Sequence, residues 1–197
     1  MIRILSSLIL IIASHGILAS PITQLANPAA PAPRTAITPA MQLQMGVDSL
    51  LSFLQQGPQP APQSIARFLD SEIAPFFDFD HMARSASGRY YYQFSPQQRT
   101  AMADEMKRVF LSRLTLRLTS YHNQQVRYLP ARLSPNGKEA MVSMLIKNPG
   151  NYPSRIDFRL LRSPNGWSVI DVAANGQSAI VFYRQEMLRK MSGYRRW

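Results

Sequence analysis

The hydrophobic period of this chain changes once, and that change narrows the fold more than any other feature. Up to about Asn123 the apolar residues recur at three- and four-residue steps, and beyond it they alternate. A step near 3.6 buries one face of a helix, and a step of two buries one face of a strand. A helical half followed by a strand half points to segregated layers, not to the interleaved units of a parallel sheet. The expected class is therefore α+β: an antiparallel, four-stranded curved sheet covered by about five helices. A single helix layer on a curved sheet can leave an apolar pocket between the layers.

The helical half has recognisable punctuation. Met41 to Gln56 places Met41, Met45, Leu50, Leu51 and Leu54 mostly on one face, and Gly57-Pro58 stops it. Pro62 to Phe77 repeats Ile65, Phe68, Leu69, Ile73 and Phe76, with Pro75 expected to kink its end. Phe79 to Tyr91 reads as a short helix weakened by Gly88. Ser95-Pro96 supplies an N-cap and a first-turn proline for a helix running to about Tyr121. Along it Met102, Met106, Phe110, Leu114 and Leu118 form a stripe. Such a stripe suits a packed core, and it also suits a face that accommodates varied apolar shapes.

In the second half, Val126–Leu133, Lys138–Lys147, Ser154–Arg162 and Gly166–Ala174 read as strands. They are separated by the turn signals Asn136-Gly137, Asn148-Pro149-Gly150 and Asn165-Gly166. Ile156, Phe158 and Leu160 point one way and Arg155, Asp157 and Arg159 the other, as in a meander with one covered face. Ser178 to Met191 closes the chain as a helix with Ile180, Val181, Tyr183, Met187, Leu188 and Met191 mostly inward. There is no internal repeat.

The N-terminus reads as an address. Arg3 precedes an apolar stretch interrupted at Ser14-His15-Gly16, and its unbroken run from Leu8 to Ala13 is far short of the ~18 residues a bilayer span needs. Small residues at Gly16, Ala19 and Ser20 suit a signal-peptidase site, so residues 1–20 are expected to be a signal peptide; the other reading is an uncleaved interfacial helix. Residues 21–40 carry Pro21, Pro28, Pro31, Pro33 and Pro39 among Ala and Thr, without periodicity. They are expected to be a disordered linker to a domain at 41–197. An exported chain with no Cys fits a bacterial periplasm.

Charge is uneven. Residues 42–80 hold one base against five acids, and residues 81–197 hold nineteen bases against six acids. A basic half suggests an anionic partner, and export favours a membrane surface or anionic lipid over nucleic acid. The cluster Gly88-Arg89-Tyr90-Tyr91-Tyr92 and the tail from Arg184 through Arg189-Lys190 to Arg195-Arg196-Trp197 carry much of that character. Zero Cys excludes disulfides, thiolate metal sites and cysteine nucleophiles, and His15, His81 and His122 are too scattered for a metal centre. No phosphate-binding glycine loop, nucleophile elbow or HExxH is present. Asp78 and Asp80 alternate with aromatics, a pairing that serves acid–base chemistry in some sites and helix capping in more. No enzyme, metal or cofactor is expected.

Three stretches resemble the MlaC (toluene-tolerance) family. The first is Phe79-Asp80-His81-Met82-Ala83-Arg84 with Gly88-Arg89-Tyr90, where Tyr90 or Tyr91 stands at the family's usual Trp. The second is Ser95-Pro96-Gln97-Gln98-Arg99 leading to Phe110. The third is Gly166-Trp167-Ser168-Val169-Ile170-Asp171-Val172, then Gly176-Gln177-Ser178 and Tyr183-Arg184. The chain departs from the pattern at Val172-Ala173-Ala174-Asn175, which is less apolar, at Phe182, which stands for the usual Asn, and in its long linker.

The resemblance implies a periplasmic phospholipid carrier of an ABC transport system. Such a carrier passes lipid between an outer-membrane lipoprotein complex and an inner-membrane transporter, as a monomer, and maintains outer-membrane asymmetry. It also implies that inward strand residues and the Met stripe line the pocket. On that reading the lining is Phe79, Met82, Met106, Phe110, Leu114, Val142, Met144, Ile156, Phe158, Leu160, Val169, Ile180 and Tyr183. Asp171 and Arg184 are expected to do structural work, as a turn-fixing pair. Three other readings stay open: a carrier of another apolar lipid such as a hopanoid, a hydrolase or isomerase using Asp78 and Asp80, and a non-catalytic basic module on anionic membrane surfaces.

Overall fold

The computed structural model describes residues 37–147, 150, 152–164 and 166–193. The expected signal peptide, most of the expected linker, the turn residues Asn148, Pro149 and Asn165, and the basic end Arg195-Arg196-Trp197 lie outside these residues.

Helix α1 spans Pro39–Gln55, with the Thr38 hydroxyl accepting from the Met41 amide at 3.2 Å and Pro39 in the first turn. Helix α2, Pro62–Phe68, runs on without a break into a wide π turn, Leu69–Ile73, and then a tight 3-10 turn, Ala74–Phe76. The single kinked helix expected over 62–77 is thus three geometries in series. Pro75 has no amide to donate and its ring crowds the carbonyl one turn back, so the ladder loosens before it and tightens at it.

Helix α3 is Phe79–Ser87, shorter than expected, because Gly88 turns the chain at φ +54° and a 3-10 stretch follows to Gln93. The Asp78 carboxylate accepts from the His81 amide at 2.8 Å, so this aspartate is the N-cap. Helix α4, Pro96–Leu118, opens on a full capping box between Ser95 and Gln98 and stops three residues before the expected Tyr121.

The sheet is an antiparallel meander of six strands, not four. Strands β1 (Val126–Tyr128) and β2 (Arg132–Leu133) both pair with β3 (Glu139–Ile146). They are the single strand expected over 126–133, interrupted where Pro130 removes a ladder donor. β4 (Ser154–Ser163) pairs with β3 and β5, and β5 (Gly166–Ala174) with the short β6 (Gln177–Ser178). A bulge at Arg159/Leu160 bends the β4–β5 ribbon. Helix α5, Ala179–Gly193, follows directly.

Asp171 and Arg184 are not partners of each other. The buried Asp171 carboxylate accepts from the Ser178 hydroxyl at 2.7 Å and the Ile180 amide at 3.2 Å, which fixes the start of α5. Arg184 donates to the Ser85 and Ala86 carbonyls at 2.6 and 3.2 Å, which closes the C-terminal end of α3. Two helix ends are fixed where one paired turn was expected.

Three apolar clusters hold the domain together. One joins the inner sheet face to Leu43 of α1; one joins α1, α2 and α4; one joins α3, α4 and α5. Phe77 packs against all three, and its ring lies 5.5 Å from Phe79 and 5.0 Å from Phe110. α1, α3 and α5 rest on the sheet, while α4 packs chiefly on α3 and α2. The space α4 leaves above the strands is where the site lies.

Candidate functional site

That space is a cavity of about 870 Å³, near the upper end of what small-molecule sites enclose. Its floor is the inward face of the strands: Met144 and Ile146 of β3, Ile156, Phe158 and Leu160 of β4, Trp167, Val169 and Val172 of β5. Alternation puts the β3 and β4 residues on one face, with the two strands in register at Met144↔Ile156 and Val142↔Phe158, and the bulge that passes over Ile170 shifts the parity of β5 so that Val169 and Val172 share that face. One wall is α1, through Leu43, Gly46, Val47, Leu50 and Leu51, backed by Ile73, Phe76 and Phe77. The opposite wall is α4, through Phe110, Arg113, Leu114, Arg117 and Leu118, a set repeating at helical spacing. Ala179, Phe182 and Tyr183 of α5 complete it.

Gly46 has a specific part in this geometry. A Cβ built on it would lie 3.4 Å from the Phe76 ring, an ordinary contact distance, so the ring sits close against the α1 backbone at this point. A glycine inside a helix costs about 1 kcal/mol relative to alanine; here close approach of a cavity-lining aromatic accompanies that cost.

The lining residues that reach solvent cluster in one place. Arg113, Arg117 and Ser120 on and just past α4, and Ala174, Asn175 and Gln177 at the β5–β6 turn, are all exposed. The mouth therefore opens between the C-terminal half of α4 and the β5–β6 corner. The two arginines are the charged side chains on the lining, and neither forms an ion pair among the described residues. The Arg113 guanidinium instead lies 4.2 Å above the Phe182 ring. Beside it, burial pushes the Tyr183 phenol up from its ordinary pKa, and nearby Arg113 acts in the opposite direction.

Of the side chains the sequence nominated for the lining, Phe110, Leu114, Met144, Ile156, Phe158, Leu160, Val169 and Tyr183 stand on the cavity wall. Phe79, Met82, Met106 and Ile180 stand away from it, in the cluster between α3, α4 and α5. Val142 packs in the sheet cluster. The α4 stripe thus divides: Met102 and Met106 pack against α3 and α5, and Phe110, Leu114 and Leu118 face the space. The sequence reading left out α1, Phe76, Phe77, Trp167 and both arginines. Gly46 within an amphipathic helix is the one local signal that α1 approaches something closely.

The chemistry of the cavity is that of a container. Its interior is aliphatic and aromatic, and its polar groups gather at the mouth. Of the nominated acid–base pair, Asp78 is occupied as a helix cap and Asp80 lies in the first turn of α3, and neither stands on the cavity lining. Among the described residues no group of three His, Cys, Asp or Glu is placed to hold a metal ion, and no helix is long and apolar enough to cross a membrane.

A protein-family profile described as "MlaC protein" matches residues 44–193. The fold is also similar to a solved structure, the phospholipid-binding protein from Ralstonia solanacearum in complex with a phospholipid. The two chains are 26% identical, the match covers 79% of this chain and 88% of that one, and the TM-score is 0.71.

Proposed function

The chain belongs to the MlaC family, and on that premise we propose that it is a phospholipid carrier. It encloses acyl chains in the cavity and holds the headgroup at the α4/β5–β6 mouth. The observation that carries this reading is an open apolar cavity of about 870 Å³ with its polar residues confined to one end. The fold it shares with a phospholipid-bound protein supports the same cargo.

The physical requirement is large. Each methylene taken out of water is worth ~0.8 kcal/mol, so two acyl chains left exposed would cost more than ~20 kcal/mol. A soluble carrier must replace that water with a continuous apolar lining. The strand floor, α1, and the Phe110–Leu114–Leu118 face of α4 are arranged to supply it. Phe79, Met82, Met106, Val142 and Ile180 act one layer further out, by holding the walls in position. Transfer in and out needs no bond to be made or broken, so no residue is assigned a catalytic role.

The family and the N-terminal sequence support a wider setting. Residues 1–20 direct export to the periplasm, and the proline-containing stretch after them links to the domain, whose first helix starts at Pro39. The carrier then shuttles, as a monomer, between an outer-membrane lipoprotein complex and an inner-membrane ABC transporter that maintains lipid asymmetry.

Incubating delipidated protein with phospholipid vesicles, then separating the two and assaying lipid phosphorus in the protein fraction, tests the carrier reading. One phospholipid per chain, retained in high salt, is the expected result. Association with anionic vesicles that salt abolishes, with no lipid retained after separation, would replace it with a surface-binding module.

A further inference from the structure

We propose that Arg113 and Arg117 form a cationic clamp at the cavity mouth that binds an anionic head, so that the site selects acylated ligands carrying a phosphate over equally apolar ones without charge. This rests on the carrier reading and assigns a specificity to the same site.

Four observations carry it. The two arginines are one helical turn apart on the cavity face of α4, about 6 Å between Cβ atoms, a spacing that lets both reach one anion. Both are exposed, and neither is neutralised by a carboxylate among the described residues. No Asp or Glu stands on the cavity lining, so the described mouth is positive with nothing of opposite sign to offset it. Arg113 is held in place by its contact with α5, its guanidinium carbon lying 4.2 Å from the centre of the Phe182 ring.

Asp104 and Glu105 are the carboxylates on the same helix; neither lines the cavity, and Arg108 engages both Glu105 oxygens at 2.7 and 2.8 Å. Around the clamp the mouth offers uncharged partners: Ser120, Asn175 and Gln177. Planar guanidinium groups match the paired oxygens of a phosphodiester in two-point contacts, and they also match a carboxylate. A phospholipid and a fatty acid both present that chemistry, and the test separates them.

Retention is measured for three ligands with matched acyl chains: phosphatidylglycerol, diacylglycerol and the free fatty acid. Wild-type protein is compared with Arg113→Gln/Arg117→Gln and Arg113→Lys/Arg117→Lys. Wild-type protein is expected to retain phosphatidylglycerol over diacylglycerol by roughly tenfold, the lower range of a charge-assisted contact at a solvated rim. That ratio is expected to shrink as salt is raised. The double Gln variant is expected to bring the ratio near one by losing phosphatidylglycerol while diacylglycerol retention stays unchanged. The double Lys variant is expected to keep part of the preference.

A ratio that is the same in wild type and the double Gln variant, or that does not respond to salt in wild type, overturns the clamp and leaves the carrier intact. The salt titration uses wild type alone, so the clamp can fail even if a variant does not fold. Retention of neither two-chain lipid overturns the phospholipid carrier. If fatty acid alone is then held, in an arginine-dependent way, the clamp stands with a single-chain cargo.

Discussion

Leu114 and Met82 separate two kinds of apolar side chain that look alike in the sequence. Leu114 is half-buried and faces the cavity, whereas Met82 is fully buried between α3, α4 and α5. Replacing Leu114 by Trp places a larger apolar body in the cavity proposed to hold acyl chains. Phospholipid retention is expected to fall by roughly tenfold or more, the effect of removing room for a few methylenes. The melting temperature is expected to move by less than about 3 °C, because little of the packed core changes. Met82→Ala should do the reverse. It leaves a void in close-packed surroundings, costs ~2–5 kcal/mol, and lowers the melting temperature by about 5 °C or more. Thermal melts and vesicle retention on the two variants check both outcomes. A loss of retention in the Met82 variant at temperatures where it is fully folded would move that residue to the ligand.

At the scale of elements, the domain depends on fixed ends. Asp171 anchors the first turn of α5 and Arg184, farther along α5, closes α3, so one helix is tied to β5 and to its neighbour. Asp171→Ala leaves the Ser178 hydroxyl and the Ile180 amide without their acceptor and is expected to cost ~1–3 kcal/mol. Arg184→Ala, at a more exposed site, is expected to cost ~1 kcal/mol. Denaturant titrations check both values, and the larger loss belongs to Asp171.

The outer sheet face carries a pH term. Burial acts to raise the Asp157 carboxyl, but the hydrogen bond from Ser143 and the pairing with Arg155 outweigh it and hold its pKa below the usual range. An unfolded aspartate titrates near ~3.9, so this stabilisation is complete above that value and is lost as pH falls through the lower folded one. The acid limb of a melting-temperature profile below about pH 4 is expected to flatten in Asp157→Asn.

Local signals were legible because they are local. Ser95-Pro96 with Gln98 announces the start of α4 and Asp78 sits where a cap is needed, each within four residues of its partner. The split of the expected first strand was carried by Pro130 in the same way, but a two-residue strand is too short to show a period.

For the whole molecule, the meander and its inward residues follow from alternation, which is why Ile156, Phe158 and Leu160 were placed on the cavity side from the sequence. The division of the α4 stripe was not legible. A packed core and an apolar cavity ask for the same residues at the same spacing, and only the arrangement of α3 and α5 decides that Met106 is covered and Phe110 is not. The contribution of α1 was hidden too: the sequence puts Met41 and Met45 on its apolar face with Leu50 and Leu51, whereas both methionines are exposed and Leu43 lines the cavity beside Leu50 and Leu51. Nothing in the sequence singles out Arg113 and Arg117, because their position at a cavity mouth exists only in three dimensions. The carrier reading joins these levels: a floor set by alternation, walls set by helix ends, and an opening set by the gap under α4.

Its most direct test is native mass spectrometry, followed by denaturation, on the full chain expressed in bacteria and purified without detergent. A single two-chain phospholipid bound per chain, released intact on unfolding, is the predicted result. Ligand-free protein that also takes up no lipid from vesicles would contradict the account.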